Sequence, residues 1–378
     1  MQSFQRLKCV CFVLVITLAS ALAACADNFL VYFGTYTGPG SKGIYVSRFD
    51  TASGKLTPPE LAAETADPSY LAVAPDRQYL YAVNEIPGTS GFVSAFKLET
   101  TTGKLEFLDK QPSGGFSPCH LTVDPDEKFV VAANYNSGNV EVLPIRSNGF
   151  LAAPTCLIQH HGSSANPARQ QGPHAHCVAF DADNRLYVCD LGLDKVMIYH
   201  LDENSGQLTT NEIPAAELKP GSGPRHIAFH PDGKYAYVIS EMGATVTAFT
   251  YDSLNGKLTT IQTVSTLPAD FQGNNTSAEI AIHPSGKFVY ASNRGDDSIA
   301  VFAVDEKTGW LTRVQIQPTL GRTPRGFAID PTGKFLIVGN QESNDVVVFR
   351  INPQDGRLAA TGQKLEIGKP VCVTVVQN

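Results

Sequence analysis

A unit of 46 to 57 residues recurs from one end of the 378-residue chain to the other, which limits the fold to architectures that pack one supersecondary motif repeatedly. Each copy opens on Pro or a small residue, runs through an apolar strand into a Pro-containing turn, and continues in a second strand ending in Asn or Ser. SPCHLTVDPDEKFVVAANY from Ser117, GPRHIAFHPDGKYAYVISE from Gly223, SAEIAIHPSGKFVYASNR from Ser277 and TPRGFAIDPTGKFLIVGNQ from Thr323 are four such copies. Third strands follow, FVSAFKL from Phe92, TVTAFTY from Thr245 and DVVVFRI from Asp345 among them. A G-x-L turn then leads into the fourth strand, as at Gly103, Gly206, Gly256, Gly309 and Gly356.

Unit openings fall at Pro68, Pro118, Ala175, Pro224, Ser277, Pro324 and Pro370. Four short strands per unit make a propeller blade, and radial repetition of such sheets protects most of their edges. After the last opening only KPVCVTVV remains. The N-terminal segments FLVYFGTY, GIYVSRFD and KLTPPELAA supply the second, third and fourth strands of that blade. The expected fold is therefore all-β, a seven-bladed β-propeller over residues 27–378, a single domain whose last blade is closed by both chain ends. Composition agrees: 32 Gly, 24 Pro and only 3 Met favour strands and tight turns over a helical bundle.

Residues 1–25 read differently. Arg6 and Lys8 precede an apolar run ending in small residues, the pattern of an export signal. Leu22-Ala23-Ala24-Cys25 fits a lipoprotein cleavage box with a lipid anchor at Cys25, and Ala21-Leu22-Ala23 equally fits an ordinary signal peptidase, so both outcomes stay open. The expected location is exported, periplasmic or lipid-anchored in a bacterial envelope, with no membrane-spanning segment. The chain carries 29 basic and 36 acidic residues, net −7; without Arg6 and Lys8 the balance is 27 against 36, or −9. With no basic run in the remainder, nucleic acid is excluded as a partner. Oligomeric state is not legible.

Of eight cysteines, Cys9, Cys11 and Cys25 belong to the export segment. Five remain, an odd number without CxxC spacing, so neither a zinc site nor a complete disulfide framework is indicated. Cys177 and Cys189 face each other across an expected hairpin; packing is the simpler role for them, a disulfide the alternative.

Seven copies permit an internal comparison. Asn84, Asn134, Asn293 and Asn340 end second strands repeatedly and are expected to fasten turns or blades, as are His230 and His283 before their prolines. Function is sought in polar departures. The first position after each opening carries Ser69, Cys119, His176, Arg225, Ala278, Arg325 and Val371. The position after each second strand carries Glu85, Tyr135, Leu191, Glu241, Arg294 and Gln341, with Thr35 in the closing blade. Inner strands converge on the axis, so both sets meet at one mouth of the channel. His176, Arg225, Glu241 and Arg294 form the expected cluster, with His174, Arg325 and Glu85 nearby; Arg169 and Gln341 are further substrate contacts. The blander alternative is a wet channel in which Glu241 merely pairs with Arg225 or Arg294. No GxSxG, P-loop or HExxH motif is present, and no GxGxxG leads from a strand into a helix. His160-His161 with His174-x-His176 lacks a matching carboxylate pattern, so no metal and no cofactor is expected.

Across residues 29–378 the chain resembles the β-propeller lactonase family, which includes one type of 6-phosphogluconolactonase and is related to carboxymuconate cyclases. The resemblance rests on GTYT at Gly34, YAVNE at Tyr81, NPARQQGPHAHCVAFD at Asn166, DLGLDKV at Asp190 and the blade motifs at Gly223, His283 and Thr323. It implies a metal-independent site made of a PHAH histidine (His174 or His176), Arg225, Glu241 and Arg294. It also implies a lactone or sugar-acid ligand and hydrolysis by general-base catalysis. A lactone-forming cyclase and a non-catalytic ligand-binding propeller are the alternatives. Since a phosphorylated sugar lactone arises inside cells, an exported enzyme is expected to meet an unphosphorylated one.

Overall fold

The computed structural model describes residues 28–377. Residues 1–25, expected above to be an export signal and including Cys9, Cys11 and Cys25, lie outside the described residues. The described chain forms seven antiparallel sheets arranged as blades. Inner strands of blades 1 to 7 are Leu71–Val73, Pro118–Val123, Ala175–Phe180, Pro224–Phe229, Thr276–Ile282, Pro324–Ile329 and Pro370–Gln377. In blade 7 the inner strand is C-terminal and pairs with Asn28–Thr35, which pairs with Gly43–Asp50. The expected fourth strand is split into Lys55–Leu56 and Glu60–Glu64, both paired with Gly43–Asp50. Thus the ring closes by hydrogen bonds between the two ends of the chain.

Second strands such as Phe129–Asn134 and Tyr235–Ser240 are buried at every residue, because each is sandwiched between neighbouring blades. Apolar side chains collect in seven separate clusters between blades. The repeated Gly of the G-x-L turn now has a cause. Tyr32, Tyr81, Tyr187, Tyr237 and Tyr290 each donate a hydroxyl hydrogen bond to a glycine carbonyl of the following blade, at Gly103, Gly149, Gly256, Gly309 and Gly356. Those glycines hold φ between 71° and 81°, the left-handed region, and a Cβ on Gly309 would lie 2.3 Å from the Tyr235 ring.

The asparagine fasteners behave as expected. Asn134 donates to the Ser113 carbonyl and Asn293 to that of Thr266, each reaching the end of the preceding blade. His230 and His283 donate through Nε2 to Gly286 and Gly333 of the next blade, both at 2.8 Å. Cys177 and Cys189 are directly opposed in the ladder, yet all five described cysteines are free thiols, and packing is their role. Among the described residues no helix is long and apolar enough to cross a membrane.

Candidate active site

Each inner strand is entered through a sharp turn. Ser117, Gly223 and Thr323 precede opening prolines and hold φ of 56°, 66° and 61°. Their carbonyls accept the backbone N–H of Tyr135, Glu241 and Gln341, locking the end of the second strand against the start of the first. This brings the two sets of mouth positions together. In blade 7 the residue so held is Tyr36, bonded to Lys369, and not Thr35 as expected. Thr35 pairs with Pro370 as Asn134, Ser240 and Asn340 pair with their own opening prolines, so it is the strand-end residue, buried against Ser41 and Gly43, and Tyr36 takes the mouth.

Glu241 is the centre of the cluster. Its Oε1 accepts Arg169 Nη2 at 2.6 Å, its Oε2 accepts Arg294 Nη2 at 2.8 Å, and Arg225 Nε lies 3.3 Å from Oε2. Burial alone would raise this carboxyl, but Arg294, Arg225 and Arg169 hold it at about 2. Arg225 is anchored elsewhere: Nη1 donates to the Ala278 carbonyl at 2.7 Å and to His226 Nε2 at 3.1 Å. Its buried Nε makes an ion-pair contact with Glu241 but no aligned hydrogen bond. Arg294 also reaches the carbonyls of Thr276 and Ser277. Burial, together with Arg225 and Arg325, pushes it down to about 9 despite Glu241. Arg325 lies 5.5 Å from the Tyr36 ring, and the Tyr36 hydroxyl donates to Glu85 at 2.9 Å. Four guanidiniums thus share the mouth with two carboxylates, leaving two positive charges over.

The loop bearing Arg169 and His174 is tightly tied. Asn166 Oδ1 caps the amides of Ala168 and Arg169, and buried Gln170 holds both Asn166 and the Leu191 carbonyl. Arg169 also donates to the Tyr135 hydroxyl at 3.0 Å. The amide of His174 donates to Asp190, whose other oxygen accepts His160 Nδ1 at 2.6 Å. The His174 ring stacks on Tyr135 with centroids 4.5 Å apart, and Nδ1 donates to the Tyr135 carbonyl at 2.9 Å. Nδ1 therefore carries the proton and Nε2 the lone pair. His176 lies deeper, 3% exposed, with Nδ1 unpaired and its ring edge-on to Tyr135 and His226. Burial, then Arg225 and its neighbours, draws His176 well below the usual imidazole range.

His174, His176, Arg169, Arg225, Glu241, Arg294, Arg325 and Glu85 are accordingly assembled around one mouth. Gln341 is not part of the cluster: its amide turns to Glu342, at 2.7 Å on the exposed surface. Sequence reasoning passed over Tyr36, Tyr135, Asp190 and His226. Tyr135 stands at the same position as Glu241 and carried a readable signal; Asp190, acting through backbone amides, carried none. His160 is committed to Asp190, and among the described residues no group of three or more His, Cys, Asp or Glu has the geometry to hold a metal ion.

The family model described as a seven-bladed β-propeller lactonase matches residues 30–375. The 6-phosphogluconolactonase of Bacillus subtilis (strain 168) is 40% identical over 347 residues, 92% of this chain and 98% of that protein. The 6-phosphogluconolactonase of Formosa agariphila is 35% identical over 304 residues, covering 79% of this chain and 85% of that one. Among solved structures, the periplasmic gluconolactonase of Pseudomonas aeruginosa superposes with a TM-score of 0.88 at 35% identity, over 92% of this chain and 99% of that one. With a family match spanning nearly the whole described ring, this chain belongs to the seven-bladed β-propeller lactonases.

Proposed function

We propose that this lactonase opens an unphosphorylated aldonolactone, with His174 as general base and Arg225 and Arg294 as the oxyanion and carboxylate binders. The observation that carries the reading is the buried Arg225 Nε, a donor without an aligned partner in a mouth of surplus positive charge. A developing oxyanion, or the carboxylate of the product, satisfies it. His174 Nε2 accepts a proton from the attacking water as its oxygen bonds to the carbonyl carbon. The tetrahedral oxyanion faces the guanidiniums. When the ring C–O bond breaks, the imidazolium returns its proton to the departing alkoxide, and the sugar acid is released with its own proton lost to solvent. Glu241 orders three arginines instead of acting as base, since a carboxylate held at about 2 is too weak for that work at neutral pH. His176, similarly depressed, serves as a neutral wall.

The choice of an unphosphorylated substrate rests on the export-type residues 1–25 and on the similarity to a periplasmic gluconolactonase. Exported or lipid-anchored placement is proposed on the same grounds. The test is acid release at pH 6.5 from gluconolactone, its 6-phosphate and a muconolactone. Gluconolactone is expected to react best, with Arg225→Ala lowering turnover by roughly 100 to 1,000-fold. Preference for the phosphate ester overturns the substrate assignment. No turnover on any lactone, with gluconate still bound, makes the protein a binding propeller.

A further inference from the structure

The internal comparison that identifies the mouth can be moved one residue deeper along the inner strands. There blades 1 to 5 carry Tyr70, His120, Cys177, His226 and Glu279, and blades 6 and 7 carry Gly326 and Cys372. This second ring closes the axis under the mouth. Tyr70 stacks on His120 at 3.9 Å, and His226 stands edge-on to His120 at 5.0 Å and to His176 at 5.3 Å. Its residues in blades 1 to 5 line one cavity of about 380 Å³ together with Leu71, Leu121 and Ile227 of the inner strands. Five polar or titratable groups in succession at one buried level are costly unless they are paired.

Their pairing has a direction. Glu279 Oε1 accepts His226 Nδ1 at 2.8 Å, and His226 Nε2 meets Arg225 Nη1 at 3.1 Å. A guanidinium can only donate, so Nε2 must hold the lone pair and Nδ1 the proton. The opposite tautomer would set N–H against N–H at Arg225. Glu279 is itself fixed, its oxygen accepting the Ile280 amide and its own amide donating to Ser292 Oγ at 2.9 Å. We propose that His226 is a positioning residue for Arg225, and that Glu279 acts through it by selecting the tautomer. Together with the Ala278 carbonyl, His226 draws Nη1 toward the floor and leaves Nε turned to the reacting centre. The inference deepens the function proposed above and rests on it.

The experiment separates position from mere packing by using two amides of different reach. His226→Gln places a carbonyl oxygen near the Nε2 position and keeps an acceptor for Arg225. His226→Asn places its amide near the Nδ1 position, within reach of Glu279 only. On gluconolactone, His226→Asn is expected to lower kcat at least roughly tenfold with KM moved less, the weight of one hydrogen bond to a charged group, and His226→Gln to recover most of it. In an Arg225→Ala background, His226→Asn is expected to cost less than about twofold more, because its effect passes through the missing guanidinium. Equal losses in the Asn and Gln variants, or full additivity with Arg225→Ala, overturn the proposal while leaving lactonase activity standing. If His226→Asn does not fold, Glu279→Leu, which removes the acceptor opposite Nδ1, carries the test, with a several-fold loss of kcat expected and an unchanged kcat contradicting the role of Glu279. Inactivity of the wild type on every lactone overturns the proposed function and this inference with it.

Discussion

Glu241→Gln is the most informative single substitution, because it removes a charge but almost no volume from the centre of the arginine cluster. In the folded chain its carboxyl sits at about 2, against an ordinary 4.5. That gap corresponds to about 3 kcal/mol in favour of the folded, ionised form. Because the folded value is depressed, the contribution is complete above pH 4.5 and is lost as the pH falls toward 2. The Gln variant should therefore unfold about 3 kcal/mol more easily at pH 7, and the deficit should shrink to about 1 kcal/mol at pH 3. Urea titrations followed by far-ultraviolet circular dichroism at the two pH values measure both numbers. The same variant should lose turnover, since either Arg169 or Arg294 would face the amide NH2, a donor where it needs an acceptor. A Gln variant as stable as the wild type at pH 7 would refute the reasoning. It would mean that desolvation of the four arginines and Glu241 already cancels their attraction, as buried ion pairs sometimes do.

Other expectations follow from the same geometry. His174→Gln should lower kcat by roughly 100-fold or more, and His176→Gln by much less; the reverse order in steady-state assays would move the base to His176. Glu141, buried with Oε2 unpaired, is pushed up by burial to about 7. Its raised folded value makes it a burden that grows from pH 4.5 to 7, so Glu141→Gln should gain about 3 kcal/mol more at pH 8 than at pH 4.5. An offset independent of pH in parallel denaturant titrations would contradict that. Tyr237→Phe should cost about 1 to 2 kcal/mol by leaving the Gly309 carbonyl unpaired between blades, and a loss below about 0.3 kcal/mol would show that the inter-blade bond carries no weight.

What was legible in the sequence, and what was not, divides along a physical line. Repetition displays any role that every blade must fill in the same way. The G-x-L glycine recurs because each such turn needs a left-handed residue, and the strand-end asparagines Asn84, Asn134 and Asn293 recur because each ties its blade to the one before. Against that background Arg225, Glu241 and Arg294 stood out as departures at positions the fold forces toward the axis. Tyr36 was misplaced because the second strand of blade 7 ends in Thr35, where other blades end in Asn or Ser, so the strand end was counted as the mouth position. Gln341 occupied a mouth position but turned to Glu342, since side-chain direction after a strand end is set by local partners and not by the repeat. Histidine tautomers were the least legible feature. They depend on which atom lies opposite each ring nitrogen, a carbonyl of Tyr135 for His174 and a guanidinium for His226. Both rings carry the proton on Nδ1, and in His226 the Nε2 lone pair is already taken by Arg225, which leaves the base role proposed above to His174.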